Sequence, residues 1–125
     1  MATITKLEDL EVWLEAKKLA KLVYKIADEL PRSEEYNLKR HLKENARGLP
    51  ANIAEGFYRY FKKERLHFYS IAKGCLGEIK SDLYLCNEFC YIKEEGVLEK
   101  GFEQMNKVER MLNSFIGCTS KSAQK

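Results

Sequence analysis

The chain has 125 residues, of which 45% are hydrophobic and 33% charged, and it contains only two prolines. This composition favours a single helical domain and excludes a membrane span, because no apolar run approaches the ~20 residues that a span requires. The net charge of +3 is mild for a nucleic-acid-binding domain, and the N-terminus lacks the apolar segment of a signal peptide, so we expect a cytoplasmic protein.

The first predicted helix follows two acidic residues, Glu8 and Asp9, whose charges favour a helix N-terminus. Its apolar residues recur at three- and four-residue spacing, and Pro31 ends it. A second apolar line widens the buried face and indicates burial on two sides. This second line consists of Leu19, Leu22 and Ile26.

The second predicted helix runs from about Glu34 to Tyr60, with Ser33 as its N-cap and Pro50 in its middle. Either one kinked helix passes through the proline, or two helices meet at Gly48–Leu49. We favour the kinked helix because the apolar line keeps its phase across the proline. The inward residues of this helix are predicted to be Leu38, Leu42, Ala46, Leu49, Ile53, Phe57 and Tyr60.

A very short turn at residues 61–63 predicts that the third helix, from about Glu64 to Cys90, is antiparallel to the second. Gly74 and Gly77 lie about one turn apart and predict a close approach of another helix. The inward line of the third helix is predicted to contain Phe68, Ala72, Cys75, Ile79, Leu83, Cys86 and Cys90.

The fourth predicted helix covers roughly residues 97–116 and ends at Gly117–Cys118. Together these elements predict an all-α protein, an antiparallel up-down-up-down four-helix bundle with a proline kink in its second helix. The bundle domain is assigned to residues 1–118. Residues 119–125 are small and polar, so we expect a disordered C-terminal tail.

The sequence contains no pattern typical of catalysis. Its four cysteines form no Cys-x-x-Cys pair, which favours buried free thiols over a metal site or disulfides. The spacing of Glu64 and His67 occurs once, whereas a di-iron bundle requires two such pairs. A metalloenzyme is therefore the weakest hypothesis, and we expect no catalytic residues, metal or cofactor.

A structural motif lies in the middle of the second helix, at residues 49–56. Its notable members are Pro50, Asn52, Glu55 and Gly56. Asn52 and Glu55 lie about one turn apart, and Glu55 can pair with Arg59 four residues later. Either these two side chains form a polar patch between helices, which we favour, or they contact a ligand or partner. Gly56 predicts a place where another backbone or a bulky ring comes close.

The basic residues are concentrated in the middle of the chain. Residues 39–73 carry nine basic against three acidic side chains, so the segment has a net charge of +6 and the remainder −3. Aromatic residues at 58, 60 and 61 lie among the later ones, as in surfaces that bind nucleic acid with unstacked bases. The alternative is an ordinary solvated face. The candidate nucleic-acid-binding residues are Lys39, Lys43, Arg47, Arg59, Lys62, Lys63 and Arg65.

Several of these segments resemble a known family. The most specific is Pro-Ala-Asn-Ile-Ala-Glu-Gly at residues 50–56, supported by Leu-Glu-Val-Trp at 10–13, Glu-Tyr-Asn-Leu at 35–38 and residues 68–76. The chain resembles the four-helix bundle proteins encoded in intervening sequences of bacterial large-subunit ribosomal RNA genes. The accessory variability proteins of diversity-generating retroelements are similar.

The resemblance implies a non-catalytic homo-oligomer, in the family a pentamer, with nucleic acid or a reverse transcriptase as partner. The second apolar line of the first helix agrees with an oligomer, because a lone bundle has little use for it. Lys43 stands where the family usually has arginine, which removes a bidentate donor. We therefore expect a nucleic-acid-binding accessory protein, the alternative being a protein-interaction scaffold without a nucleic-acid role.

Overall fold

The computed structural model describes residues 3–123, and within them every regular element is helical. Four long helices follow one another, and two short 3-10 helices lie at Leu7–Asp9 and Arg32–Glu34. The predicted all-helical four-helix class is confirmed. The long helices are α1 (Glu11–Asp28), α2 (Leu38–Phe57), α3 (Lys62–Glu88) and α4 (Val97–Lys121).

The helices form a bundle in which α1 and α3 each pack against both α2 and α4. The Tyr91 hydroxyl donates to the Glu34 carboxylate over 3.0 Å, so the end of α3 lies beside the start of α2. Lys62 Nζ donates to the Ser122 carbonyl over 2.8 Å, so the start of α3 lies beside the end of α4. These contacts require α3 to run antiparallel to both of its neighbours.

The core consists of apolar side chains from all four helices. Leu19 and Ile26, from the second apolar line of α1, are fully buried in it, so the bundle itself uses most of that line. We predicted that a lone bundle would have little use for this second apolar line, and that prediction is wrong. Tyr60 and Cys90 also differ from the prediction, because both are exposed beyond the ends of their helices.

A single helix, α2, passes through Pro50, so the alternative with two helices is wrong. The bend at the proline stays a prediction. The helix begins at Leu38 because Ser33 belongs to the preceding 3-10 helix, and the Leu38 N–H bonds the Glu34 carboxylate at 3.4 Å. Ser33 is therefore not the N-cap. The turn to α3 lies at residues 58–61, earlier than predicted.

Helix α4 continues past the predicted boundary at residue 118 and ends at Lys121. The Lys62 ammonium donates to the carbonyls of Ser120 and Ser122, at 3.0 and 2.8 Å, and satisfies acceptors that a helix end leaves open. The expected disordered tail is therefore wrong for residues 119–121. The last two residues of that predicted tail lie outside the described residues.

Glycine serves close packing at one predicted place, Gly56, but not at the other, Gly74 and Gly77. Apart from adjacent residues and the α3 backbone itself, no atom among the described residues comes within 4 Å of a Cβ built on Gly74 or Gly77, so these glycines admit no neighbouring helix of this chain. A Cβ on Gly56 would lie 2.5 Å from Tyr69 Cε1 and 3.0 Å from the carbonyl oxygen of Arg65. The close approach between α2 and α3 therefore occurs at Gly56.

Candidate nucleic-acid interface

The predicted basic residues occupy two separate surfaces. The α2 face carries Lys39, Lys43 and Arg47, and the hairpin surface, residues 58–65, carries Arg59, Lys62, Lys63 and Arg65. Between Arg47 and the end of α2 at Phe57 the helix rises ~15 Å. The structure therefore does not join the two sets into one site.

Carboxylates compensate much of the charge on the α2 face. Lys43 Nζ lies 2.8 Å from Asp28 Oδ1, and Lys39 Nζ lies 3.2 Å from Glu35 Oε1. Arg47 is exposed and pairs with no carboxylate among residues 3–123. Two of the three cations predicted here already have acidic partners, which weakens the attraction of this face for phosphate.

Two tyrosines beside the α2 face were not singled out from the sequence. Tyr24 and Tyr36 line an open groove of about 440 Å³ together with the basic side chains, and Lys43 Nζ lies 5.1 Å from the centroid of the Tyr24 ring. Tyr24 lies on α1, so only the packing of α1 against α2 brings it to the lysine. No local spacing rule identifies such a pair.

On the hairpin surface, one cation is ion-paired and one is exposed without a partner among residues 3–123. Arg59 pairs with Glu55, as predicted from their four-residue spacing, and its guanidinium lies 4.9 Å from the centroid of the Phe68 ring. Lys63 is exposed, and its amine has no hydrogen-bond or ion-pair partner among residues 3–123. Lys63 is therefore the most accessible cation of this surface.

Lys62 and Arg65 have structural roles. Lys62 binds the carbonyls at the end of α4, and Arg65 Nη1 donates to the Tyr60 carbonyl over 2.7 Å. These bonds hold the turn and the two helix ends in place. A substitution at either residue would alter folding as well as charge.

The motif at residues 50–56 does not form the shared polar patch favoured from the sequence. Asn52 Nδ2 donates to the Gly48 carbonyl over 2.8 Å, within its own helix. Glu55 is exposed and binds Arg59 instead. The two side chains therefore have separate structural partners. Pro50 lies partly buried inside α2, with no assigned role in a ligand site.

Gly56 fulfils its predicted role as a contact point for a bulky ring. Tyr69 is 2% exposed and lies against Gly56 on one side, while its ring centroid is 4.8 Å from that of Phe115 on α4. Burial raises the pKa of the Tyr69 hydroxyl to about 12. The missing Cβ of Gly56 thus allows one tyrosine to join α2, α3 and α4.

A polar cluster between α2 and α3 was missed from the sequence. His41 Nδ1 lies 2.6 Å from Asp82 Oδ2, and His41 Nε2 lies 3.3 Å from Glu78 Oε2. Among residues 3–123, Asp82 is the charged residue that is buried, with 6% of its surface exposed. Its position three residues after Ile79 and four before Cys86 puts a carboxylate on the inward line. A carboxylate among inward apolar residues indicates that a polar side chain of another helix binds it.

The protonation of this cluster is coupled. The hydrogen bond to Asp82 raises the pKa of His41 above its ordinary 6.5, and the nearby Glu78 and Glu44 carboxylates act in the same direction. Burial raises the pKa of Asp82, and the His41 hydrogen bond opposes that change. When it is protonated, the imidazole links α2 to α3 as a cation between two carboxylates.

The four cysteines are free, but only Cys86 is fully buried. Burial raises the pKa of its thiol to about 12, so it packs as a neutral apolar group. Cys90 and Cys118 are exposed, so the expectation of burial is wrong for these two. Within residues 3–123, no three His, Cys, Asp or Glu side chains are grouped closely enough to hold a metal ion.

None of the helices in residues 3–123 is both long and apolar enough to cross a membrane. A search of curated proteins found no match to the chain. The family model described as 23S rRNA-intervening sequence protein matches residues 8–114, which include all of α1, α2 and α3 and most of α4. The match covers well over half of the chain, so the protein belongs to the family of 23S rRNA-intervening sequence proteins.

Proposed function

We propose that this protein is a non-catalytic, homo-oligomeric accessory protein that binds RNA or DNA. The family description connects its members with intervening sequences of 23S rRNA, and the middle of the chain is basic. The observation that carries the proposal is the hairpin surface. There, four cations lie within residues 59–65, Arg59 pairs with Glu55, and Lys62 and Arg65 are fixed by backbone carbonyls.

The test is a titration of fluorescein-labelled structured RNA with the full chain, followed by fluorescence anisotropy at several salt concentrations. We expect affinity to fall steeply between about 50 and 200 mM salt, with a log–log slope of about −3, because bound cations release counterions from phosphates. A folded protein that binds no RNA or DNA at low salt would contradict the proposal.

Two lysines provide a matched pair of variants for this titration. Lys63→Gln removes an exposed charge from the hairpin surface and should reduce the magnitude of the salt slope by about 1. Lys100→Gln removes an exposed charge from the first turn of α4, at the opposite end of the bundle, and should leave the slope unchanged. Equal effects of the two variants would mean that the hairpin surface is not the interface.

The homo-oligomer, a pentamer in the resembling family, is also a proposal. Ile71, Tyr84 and Leu85 on α3 are 39%, 56% and 40% exposed, and apolar side chains left exposed on one helix are available for contact with another chain. Light scattering should give a mass near five times 14.6 kDa. A mass of 14.6 kDa would contradict the oligomer and leave the nucleic-acid proposal intact.

The exposed Leu85 on α3 favours a second candidate function, a protein-interaction scaffold whose partner, such as a reverse transcriptase, docks beside this side chain. In that case a folded protein would bind no nucleic acid at low salt. A pull-down after nuclease treatment would then retain one defined protein partner, and Leu85→Ser should abolish its retention.

A further inference from the structure

The turn between α2 and α3 exposes three aromatic rings within four residues. Tyr58, Tyr60 and Phe61 are 65%, 76% and 54% exposed. The turn that carries them is held in place, because Arg65 Nη1 donates to the Tyr60 carbonyl over 2.7 Å and packs the chain reversal against α3. These rings therefore project from a fixed backbone, which limits the entropy that binding would cost.

The rings also support one another. The centroids of Tyr60 and Phe61 lie 5.0 Å apart with an interplanar angle of 89°, and those of Phe57 and Tyr58 lie 5.2 Å apart at 81°. Edge-to-face packing orients each ring and is itself mildly stabilising. With most of their surface exposed, Tyr58 and Tyr60 keep ring area available for stacking with a flat ligand.

An open cavity of about 630 Å³ adjoins these rings, between the turn and the end of α4. Its walls combine aromatic and basic side chains, and its volume lies in the range typical of small-ligand sites. Tyr58 and Tyr60 line it together with Arg59 and Arg65. A base that stacks on either tyrosine would therefore hold its phosphates near guanidinium groups.

Exposed rings distinguish this surface from the α2 face more than charge does. Each surface has an exposed cation without a carboxylate partner among residues 3–123, Arg47 on the α2 face and Lys63 on the hairpin surface. Arg59 is shared between Glu55 and the Phe68 ring. The hairpin surface adds three rings that are each more than half exposed.

We propose that the hairpin surface binds unpaired nucleotides of RNA or DNA, with bases stacked on Tyr58, Tyr60 and Phe61 and phosphates near Arg59 and Lys63. In a duplex the base faces are covered by neighbouring bases, so aromatic rings gain affinity only from single strands or frayed ends. This inference rests on the proposed nucleic-acid binding and specifies its ligand as single-stranded.

The test compares two probes on the full chain by fluorescence anisotropy. One is a fluorescein-labelled oligouridylate of about 10 nucleotides, and the other is the same strand annealed to its complement. We expect tighter binding of the single strand at equal salt. Binding of neither probe at low salt would contradict the proposed function and this inference together. Equal or tighter binding of the duplex would contradict the inference alone.

Ring substitutions identify the surface. Tyr60→Ala and Tyr58→Ala should each weaken binding of the single strand by about 5- to 100-fold, and Tyr60→Phe should restore it because stacking needs the ring and not the hydroxyl. Tyr36→Ala is the matched control, because Tyr36 is 81% exposed and lines the groove of the α2 face. Unchanged affinity in both alanine variants would overturn the inference.

A separate readout distinguishes nucleotide stacking from an interface between copies of the chain. All these tyrosines are exposed, so the variants should melt at the temperature of the unmodified protein. Their mass by light scattering should also be unchanged. A lower mass for Tyr60→Ala would show that the rings join subunits, and would overturn the proposal that they stack on bases.

Discussion

The two ends of the contact between α2 and α3 are held together by different forces. Near the start of α2, the charged cluster of His41 and Asp82 joins the helices, with an Nδ1 to Oδ2 distance of 2.6 Å. Near the end of α2, Gly56 leaves just enough room for the buried ring of Tyr69. One end depends on protonation, and the other depends on volume.

This difference shows why the two ends should respond to different perturbations. A hydrogen-bonded ion pair strengthens or weakens with pH, whereas close packing changes only when atoms are added or removed. The hairpin surface adjoins the close-packed end, because Tyr69 belongs to the same cavity wall as Tyr58 and Tyr60. We therefore expect the candidate interface to keep its shape across the pH range in which His41 titrates.

The largest expected effect is that of Gly56→Ala. The new methyl group would lie 2.5 Å from Tyr69 Cε1 and 3.0 Å from the Arg65 carbonyl oxygen, so a fully buried ring or the α3 backbone must move. We expect the free energy of unfolding to fall by about 2 kcal/mol, measured by urea denaturation.

Gly74→Ala is the control for that substitution. Apart from adjacent residues and the α3 backbone itself, its new methyl group meets no atom of the described residues within 4 Å, and the position is exposed on α3. Alanine should therefore stabilise the helix by about 0.5–1 kcal/mol, opposite in sign to Gly56→Ala. Equal effects of the two variants would contradict the assignment of Gly56 as the point of close approach.

A smaller effect is expected from the pair of His41 and Asp82 near the start of α2. In a double-mutant cycle at a pH below the pKa of His41, the substitutions Asp82→Asn and His41→Gln should show a coupling free energy of about 1 kcal/mol. The coupling is modest because the His41 side chain is 44% exposed and water can replace part of the lost interaction. Purely additive effects would show that the pair contributes no net stability.

Glu78→Gln, at the exposed side of the His41 imidazole, should change stability by less than about 0.5 kcal/mol.

The smallest effect is a pH dependence of stability. Because its pKa is raised in the folded state, His41 contributes stability that is complete below pH 6.5 and is lost as pH rises through the folded pKa. The pKa of Asp82 is also raised, from 3.8, so its contribution likewise falls as pH rises, but from a lower starting pH. The unfolding free energy of the unmodified protein should therefore fall relative to that of His41→Gln as pH rises from 6.5 into the alkaline range. A constant difference between the two proteins over this range would contradict the assigned role of His41.

Much of the fold followed from local patterns in the sequence. The apolar residues Leu42, Leu49 and Ile53 recur at helical spacing, and all three are fully buried. The pairing of Glu55 with Arg59 followed equally from their spacing. Helix ends were less predictable, because Lys62, from the start of another helix, satisfies carbonyls at the end of α4.

The candidate site was predictable only in part. The seven candidate basic residues were proposed from charge clustering, but their division into two surfaces depends on α2 continuing as one helix of 20 residues through Pro50. The partners of Lys43, namely Asp28 and Tyr24, lie on the preceding helix. Only the packing of α1 against α2 shows that Lys43 already has an acidic and an aromatic partner.

The sequence by itself determined the four helices, the inward position of most of their apolar residues and the basic centre of the chain. These properties depend on residues within a few turns of one another, where the helical repeat relates spacing to position. The tertiary structure decided which cations meet carboxylates, that Asp82 meets His41, and that Gly56 rather than Gly74 admits a neighbour. Those outcomes depend on residues far apart in the chain, which only the packing of the helices brings together.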